Sequence, residues 1–174
     1  MRPARRKALA LAGIGAGAAA AGALVGALLR QARSGAAALL SATFPDLEGR
    51  PRRLLDWQGR PLVCNFWATW CAPCREEIPL LVSAKQQYAE AGLEVVGIGI
   101  DSADKIREFA GIYRINYPLL VADANAIDLM RTMDNKAGAL PYTVLLDRHG
   151  VLAGSKLGAY SRSELQAALT SLLG

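Results

Sequence analysis

Two cysteines stand three positions apart in the stretch Asn65-Phe66-Trp67-Ala68-Thr69-Trp70-Cys71-Ala72-Pro73-Cys74-Arg75-Glu76-Glu77. Two intervening residues let the sulfurs meet the narrow geometry that a disulfide demands. Such a pair can exchange electrons with another disulfide. The Cys71 thiolate attacks one sulfur, a mixed disulfide forms, and Cys74 resolves it. Three other chemistries use the same residue types. The pair can be a structural disulfide. It can be half of a zinc site, which needs about four ligands. It can hold Cu(I) through two thiolates. For either metal, only Cys64 and His149 remain to add ligands.

Local elements must hold these cysteines in place. Leu62 to Trp67 is apolar except for Asn65, the pattern of a strand covered on both faces. After the cysteines, Ile78, Leu81, Val82 and Tyr88 fall at helical spacing. The pair therefore sits at a strand-to-helix junction, with Cys71 just outside the helix and Cys74 in its first turn. A helix N-terminus presents unpaired N–H groups and a partial positive charge, which favour a thiolate over a thiol. Pro73 costs no hydrogen bond at a helix start. Cys64 lies inside the strand, where a free cysteine acts as a small hydrophobe.

Thr43 to Leu47 and Arg52 to Leu55 flank Glu48-Gly49-Arg50-Pro51 as a β-hairpin. The helix after Cys74 is expected to stop near Gly92. Leu93 to Ile100 reads as a second core strand, and Asp101-Ser102 as the cap of a helix over Ala103 to Tyr113. Pro118 to Val121 is a short strand and Ala124 to Met133 a further helix. Tyr142 to Asp147 and Val151 to Lys156 form a hairpin about Arg148-His149-Gly150. Ser161 and Glu164 have capping-box spacing at the start of a last helix. Strands alternating with helices, then a closing hairpin, predict an α/β sandwich.

The chain has 174 residues, 20 basic and 15 acidic. Arg2, Arg5, Arg6, Lys7, Arg30 and Arg33 are basic, and the first 33 residues contain no acid. The remainder is nearly neutral, so the positive total implies no nucleic-acid face. Residues 8–29 carry no charge, and about 20 apolar residues cross a bilayer core. With four positive charges before that run, the N-terminus stays cytoplasmic and the rest is exported. The expected division is 1–33 as basic segment and membrane anchor, 34–41 as linker and 42–174 as one domain. A cleaved signal peptide, with Ala36-Ala37-Ala38 as a peptidase site, and a cytoplasmic protein with a disordered Ala/Gly-rich tail stay open as alternatives.

Phe66-Trp67-Ala68-Thr69-Trp70-Cys71-Ala72-Pro73-Cys74, followed by Glu77, resembles the TlpA/ResA group of the thioredoxin superfamily, to which the CcmG/DsbE proteins also belong. The resemblance runs from about Ala42 to Gly174. It implies a thioredoxin-like sandwich with an N-terminal β-hairpin and an inserted βα unit, preceded here by one transmembrane helix. It implies a membrane-anchored thiol–disulfide oxidoreductase of the extracytoplasmic side, with Cys71–Cys74 as the redox-active disulfide. Glu77 would then move protons to and from the buried cysteine, a task that a desolvated carboxyl suits. Glu76 and Glu77 as plain complements of the helix dipole are the simpler alternative. Pro141 resembles the cis-proline facing the cysteines, and Leu140 before it would pair with an extended substrate. Trp70 would wall the site, Trp67 would be core, and His149 an exposed turn residue. Expected partners are exported proteins with disulfides, such as apocytochrome c or the copper-site cysteines of cytochrome oxidase, and a transmembrane thiol donor. No cofactor and no resident metal are expected. Two other functions compete. A Cu(I) metallochaperone would enlist His149. A peroxiredoxin-like peroxidase wants a different Thr–Cys spacing from that of Thr69 and Cys71.

Overall fold

The computed structural model describes residue 23, residues 25–27, residue 30 and residues 35–174. The run 8–29 expected to span the membrane thus falls almost wholly outside the described residues. Among those described, no helix is long and apolar enough to cross a membrane.

Five strands make one mixed sheet: β3 (Leu62–Trp67), β4 (Glu94–Ile100), β5 (Leu119–Ala122), β6 (Tyr142–Leu146) and β7 (Leu152–Leu157). Their order is β5-β4-β3-β6-β7. β3 runs parallel to β4 and antiparallel to β6, so it is the centre of the sheet. All six of its residues are buried, as the apolar run predicts. Parallel neighbours need helical crossovers. α2 (Ala72–Gln87) joins β3 to β4, and α3 (Ala103–Tyr113) joins β4 to β5. Both pack on one face together with α5 (Arg162–Leu173), around Val63, Trp67, Ile78, Leu81 and Leu165. α4 (Asn125–Thr132) is the inserted helix between β5 and β6, and it packs on the opposite face against Phe66, Ile98 and Val144. A separate antiparallel hairpin, β1 (Thr43–Pro45) and β2 (Pro51–Arg53), precedes the sheet and touches its edge through an Asp46–Leu120 bridge. The α/β sandwich, its N-terminal hairpin and its inserted βα unit all follow the expectation.

Three details depart from it. Residues 35–41, expected as a linker, are helical and form α1. Ala36 and Leu39 are buried beside Met130 and Met133 on the α4 face. Burying one leucine stabilises by about 1.5–3 kcal/mol, enough to dock residues 35–41, whose alanine-rich composition disguises a helix. Leu54–Trp57 is a turn of 3-10 helix, not a continuation of β2. α2 ends at Gln87, with Gly92 (φ 79°) in the turn beyond it. The capping box is formed as expected: the Glu164 N–H donates to the Ser161 hydroxyl, and the Ser161 N–H to Glu164 Oε2.

Candidate active site

The site lies at the C-terminal end of β3. Trp67 closes the strand, Ala68 to Trp70 turn outward, and Cys71 caps α2. Cys71 and Cys74 are joined in a disulfide, with Cα atoms 5.3 Å apart. The Cys74 N–H points at the Cys71 sulfur, 3.3 Å away, so one of the helix's unpaired donors lies where a thiolate would form. Cys71 is 6% exposed and Cys74 fully buried. The asymmetry gives one sulfur an approach from solvent and the other none.

Alternation along β3 sorts the third cysteine. Val63 and Trp67 belong to the core beneath α2, while Leu62, Cys64 and Phe66 belong to the opposite face. Cys64 therefore points away from the pair, and burial pushes its thiol up. His149 is exposed in the β6–β7 turn. That turn follows Leu146, which pairs with Leu62 at the start of β3. A strand advances about 3.3 Å per residue, so His149 and the cysteines occupy opposite ends of the sheet. The third ligand that a single-chain Cu(I) site would draw from His149 is out of reach. Among the described residues no group of three His, Cys, Asp or Glu is placed to hold a metal.

Glu77 follows Cys74 by one helical turn and is 1% exposed. Its Oε1 accepts from the Tyr160 N–H at 3.0 Å, and its Oε2 from Asn65 Nδ2 at 2.9 Å. Asn65 Nδ2 also donates to the Thr143 hydroxyl at 2.9 Å. Thr143 is the β6 residue opposite Asn65, so the polar row crosses two strands beneath α2. Burial pushes the Glu77 carboxyl up, outweighing the downward pull of the Tyr160 N–H, the Asn65 amide, the Lys156 charge and the Thr143 hydroxyl. The carboxylate reaches outward too. Burial, then the charges of Glu77 and Glu164, push the Tyr160 hydroxyl up to about 12. Burial and the same Glu77 charge raise that of Tyr117. The first turn of α2 holds no acidic residue, and Glu76, just beyond it, is exposed.

Leu140–Pro141 is a cis peptide bond. β6 begins where Tyr142 pairs with Phe66, so Pro141 and Leu140 continue alongside Trp67 and Ala68 toward Cys71. Leu140 packs against the core cluster that holds both cysteines. Trp70 is 67% exposed and directly precedes Cys71 in the chain. Trp67 is core, its ring 5.0 Å from that of Phe109. The structure thus brings Cys71, Cys74, Glu77, Leu140 and Pro141 to one end of the sheet.

Sequence reasoning missed Asn65, Thr143 and Tyr160 as the cradle of Glu77. One signal was present, since Asn65 is the lone polar residue of an apolar strand. It also missed that the Thr69 hydroxyl donates to Asp101 Oδ2, tying the loop before Cys71 to the end of β4.

A family model described as the AhpC/TSA family matches residues 36–155. The thioredoxin-like protein YneN of Bacillus subtilis (strain 168) is 34% identical over 127 residues, 71% of this chain and 71% of that protein. The thiol-disulfide oxidoreductase ResA of Bacillus thuringiensis (strain Al Hakam) is 29% identical over 128 residues, covering 73% of this chain and 72% of that one. A crystal structure of a thioredoxin-family thiol:disulfide interchange protein from Chlorobium tepidum TLS superimposes with a TM-score of 0.68 at 26% identity. It covers 77% of this chain and 94% of its own.

Proposed function

This chain belongs to the AhpC/TSA family, as a thioredoxin-like thiol-disulfide oxidoreductase of the ResA type, and from that premise we propose that it reduces disulfides of exported proteins outside the cytoplasmic membrane. The observation that carries the reading is the Cys71–Cys74 disulfide at the N-terminus of α2, one turn before a buried, neutrally cradled carboxyl. In the reduced protein Cys71 attacks a substrate disulfide, forming a mixed disulfide and releasing one substrate thiolate. Cys74 then attacks the Cys71 sulfur, releasing the second substrate thiolate and leaving the Cys71–Cys74 disulfide. Two electrons pass to the substrate, and a transmembrane thiol donor returns them. Glu77 takes the proton from Cys74 as it becomes a nucleophile and gives it back on re-reduction. Its raised carboxyl suits that exchange near neutral pH. Trp70 offers an exposed apolar surface to the substrate, and Leu140 with Pro141 offers the backbone against which an extended segment pairs.

The uncharged run 8–29, with four positive charges before it, anchors the chain and sets the domain on the outer side. Disulfides of apocytochrome c, or of the copper site of cytochrome oxidase, are the substrate class that fits this placement. Cys74→Ser should trap the substrate as a mixed disulfide on Cys71, and Cys71→Ser should trap nothing. The direction is tested by the reduction potential of the full-length protein. A value near or below about −230 mV supports a reductant, and one near about −120 mV reverses the assignment to disulfide formation.

A further inference from the structure

The loop between α4 and β6 contains a buried polar residue that the cysteine chemistry does not use. Asn135 is 1% exposed, although Asp134, Lys136 and Ala137 around it are exposed. Its Nδ2 donates to the Ala139 carbonyl at 2.8 Å, and its Oδ1 accepts from the Ala139 N–H at 3.2 Å. One planar amide thus takes both backbone groups of a single residue, as a neighbouring strand would. The loop is bolted elsewhere as well. The Asn135 N–H donates to the Met130 carbonyl at 3.2 Å, and the Gly138 N–H to the Asn135 carbonyl at 3.0 Å. The Tyr142 hydroxyl donates to the Met133 carbonyl.

The two-point contact constrains the backbone. A residue whose N–H and C=O face the same way is extended. The amide thus fixes Ala139, and the chain bends at the next residue, Leu140. Among the described residues, no backbone or side-chain group bonds to the Leu140 N–H or C=O.

We propose that Asn135 is a positioning residue for polypeptide substrates: by holding Ala139 with its side-chain amide, it presents the free backbone edge of Leu140 to an extended chain beside the disulfide. This deepens the oxidoreductase reading above and rests on it. The substrate class is a disulfide flanked by extended polypeptide, which adds to Leu140 as a short strand would. A small disulfide without a peptide backbone has nothing to pair with there and is not selected by Asn135.

The test compares two substrates on the reduced full-length protein, insulin as the polypeptide disulfide and dithiodipyridine as the small one. Asn135→Ala should raise KM for insulin about tenfold, the scale of losing a pair of hydrogen bonds, with kcat little altered. The insulin-to-dithiodipyridine ratio of kcat/KM should fall by the same factor. Asn135→Asp keeps the acceptor half of the contact and should fall between the two, and it keeps the proposal testable if Asn135→Ala does not fold. An unchanged KM for insulin in a folded variant overturns the proposal. An equal loss on both substrates also overturns it, because Asn135 would then serve only the fold. If the wild-type protein reduces neither substrate, the oxidoreductase reading fails instead.

Discussion

The two ends of the central sheet each bury a glutamate beside α2, and the two are held in opposite ways. At the start of β4, Glu94 accepts from Arg60 and from Lys85 Nζ, the latter at 2.9 Å. At the far end, Glu77 accepts only neutral donors, Asn65 Nδ2 and the Tyr160 N–H. The cation acting on it, Lys156, is bonded to Glu164 at 2.7 Å. A carboxylate between two cations ties α2 to the segment before β3 and serves the fold. One surrounded by neutral donors, its carboxyl pushed up by burial, is suited to change charge during a reaction. The comparison separates a structural from a chemical carboxylate by their partners, since burial alone does not: both are below a tenth exposed.

Exchanging each for its amide should break that symmetry most visibly in the rate. Glu77→Gln should slow disulfide exchange with polypeptides about a hundredfold near neutral pH, the scale of losing a positioned proton carrier, with the fold intact. Glu94→Gln should leave the rate as it is. Stopped-flow exchange rates for the two variants decide this, and equal rates would remove the role assigned to Glu77. Stability should show the reverse order. Glu94→Gln removes the charge shared by Arg60, which is largely exposed, and Lys85, which keeps the Leu93 carbonyl, and should cost about 1 kcal/mol in urea unfolding, whereas Glu77→Gln should cost less at neutral pH or add stability.

The next effect is on pH dependence. The Glu77 carboxyl binds its proton more tightly in the folded chain than in the unfolded one. Its contribution to stability is therefore whole below the ordinary carboxylate range and is lost as pH rises through the raised folded value. The slope is at most about 1.4 kcal/mol per pH unit. Urea midpoints measured across that window should fall in the wild type and stay flat in Glu77→Gln relative to it. The smallest expected effect sharpens the comparison further. The Thr143 hydroxyl is among the groups that pull Glu77 down, so Thr143→Val should move the pH limb of the exchange rate to higher pH without changing its plateau. A shift toward lower pH would place Thr143 outside the cradle.

The structural glutamate and the chemical one were unequally legible before the fold was known. Cys71, Cys74 and Glu77 share one helix start, so spacing alone brings them together, and the capping box at Ser161 and Glu164 is local in the same sense. The cradle is not. Asn65 lies 12 residues from Glu77, Tyr160 lies 83 from it, and Thr143 lies 78 from Asn65. Only the sheet register joins them, and periodicity reports which face a residue takes, not which residue lies across from it. Nor did sequence pattern signal that Asn135 holds Ala139, because a loop asparagine reads as turn chemistry whether or not it is buried. Residues 35–41 misled for a related reason. Their alanines satisfy a linker and a helix equally well, and the burial of Leu39 depends on a helix nearly a hundred positions further on.

Cys64 bears on how the molecule can be watched. In the oxidised protein it is the one free thiol, fully buried in the middle of the central strand. A soluble alkylating reagent reaches it only when β3 parts from its neighbours. The labelling rate of oxidised protein therefore counts openings of the sheet centre, as amide exchange does elsewhere, and does so without an introduced probe. Electron transfer at Cys71 and breathing of the core thus leave separate marks on a single chain.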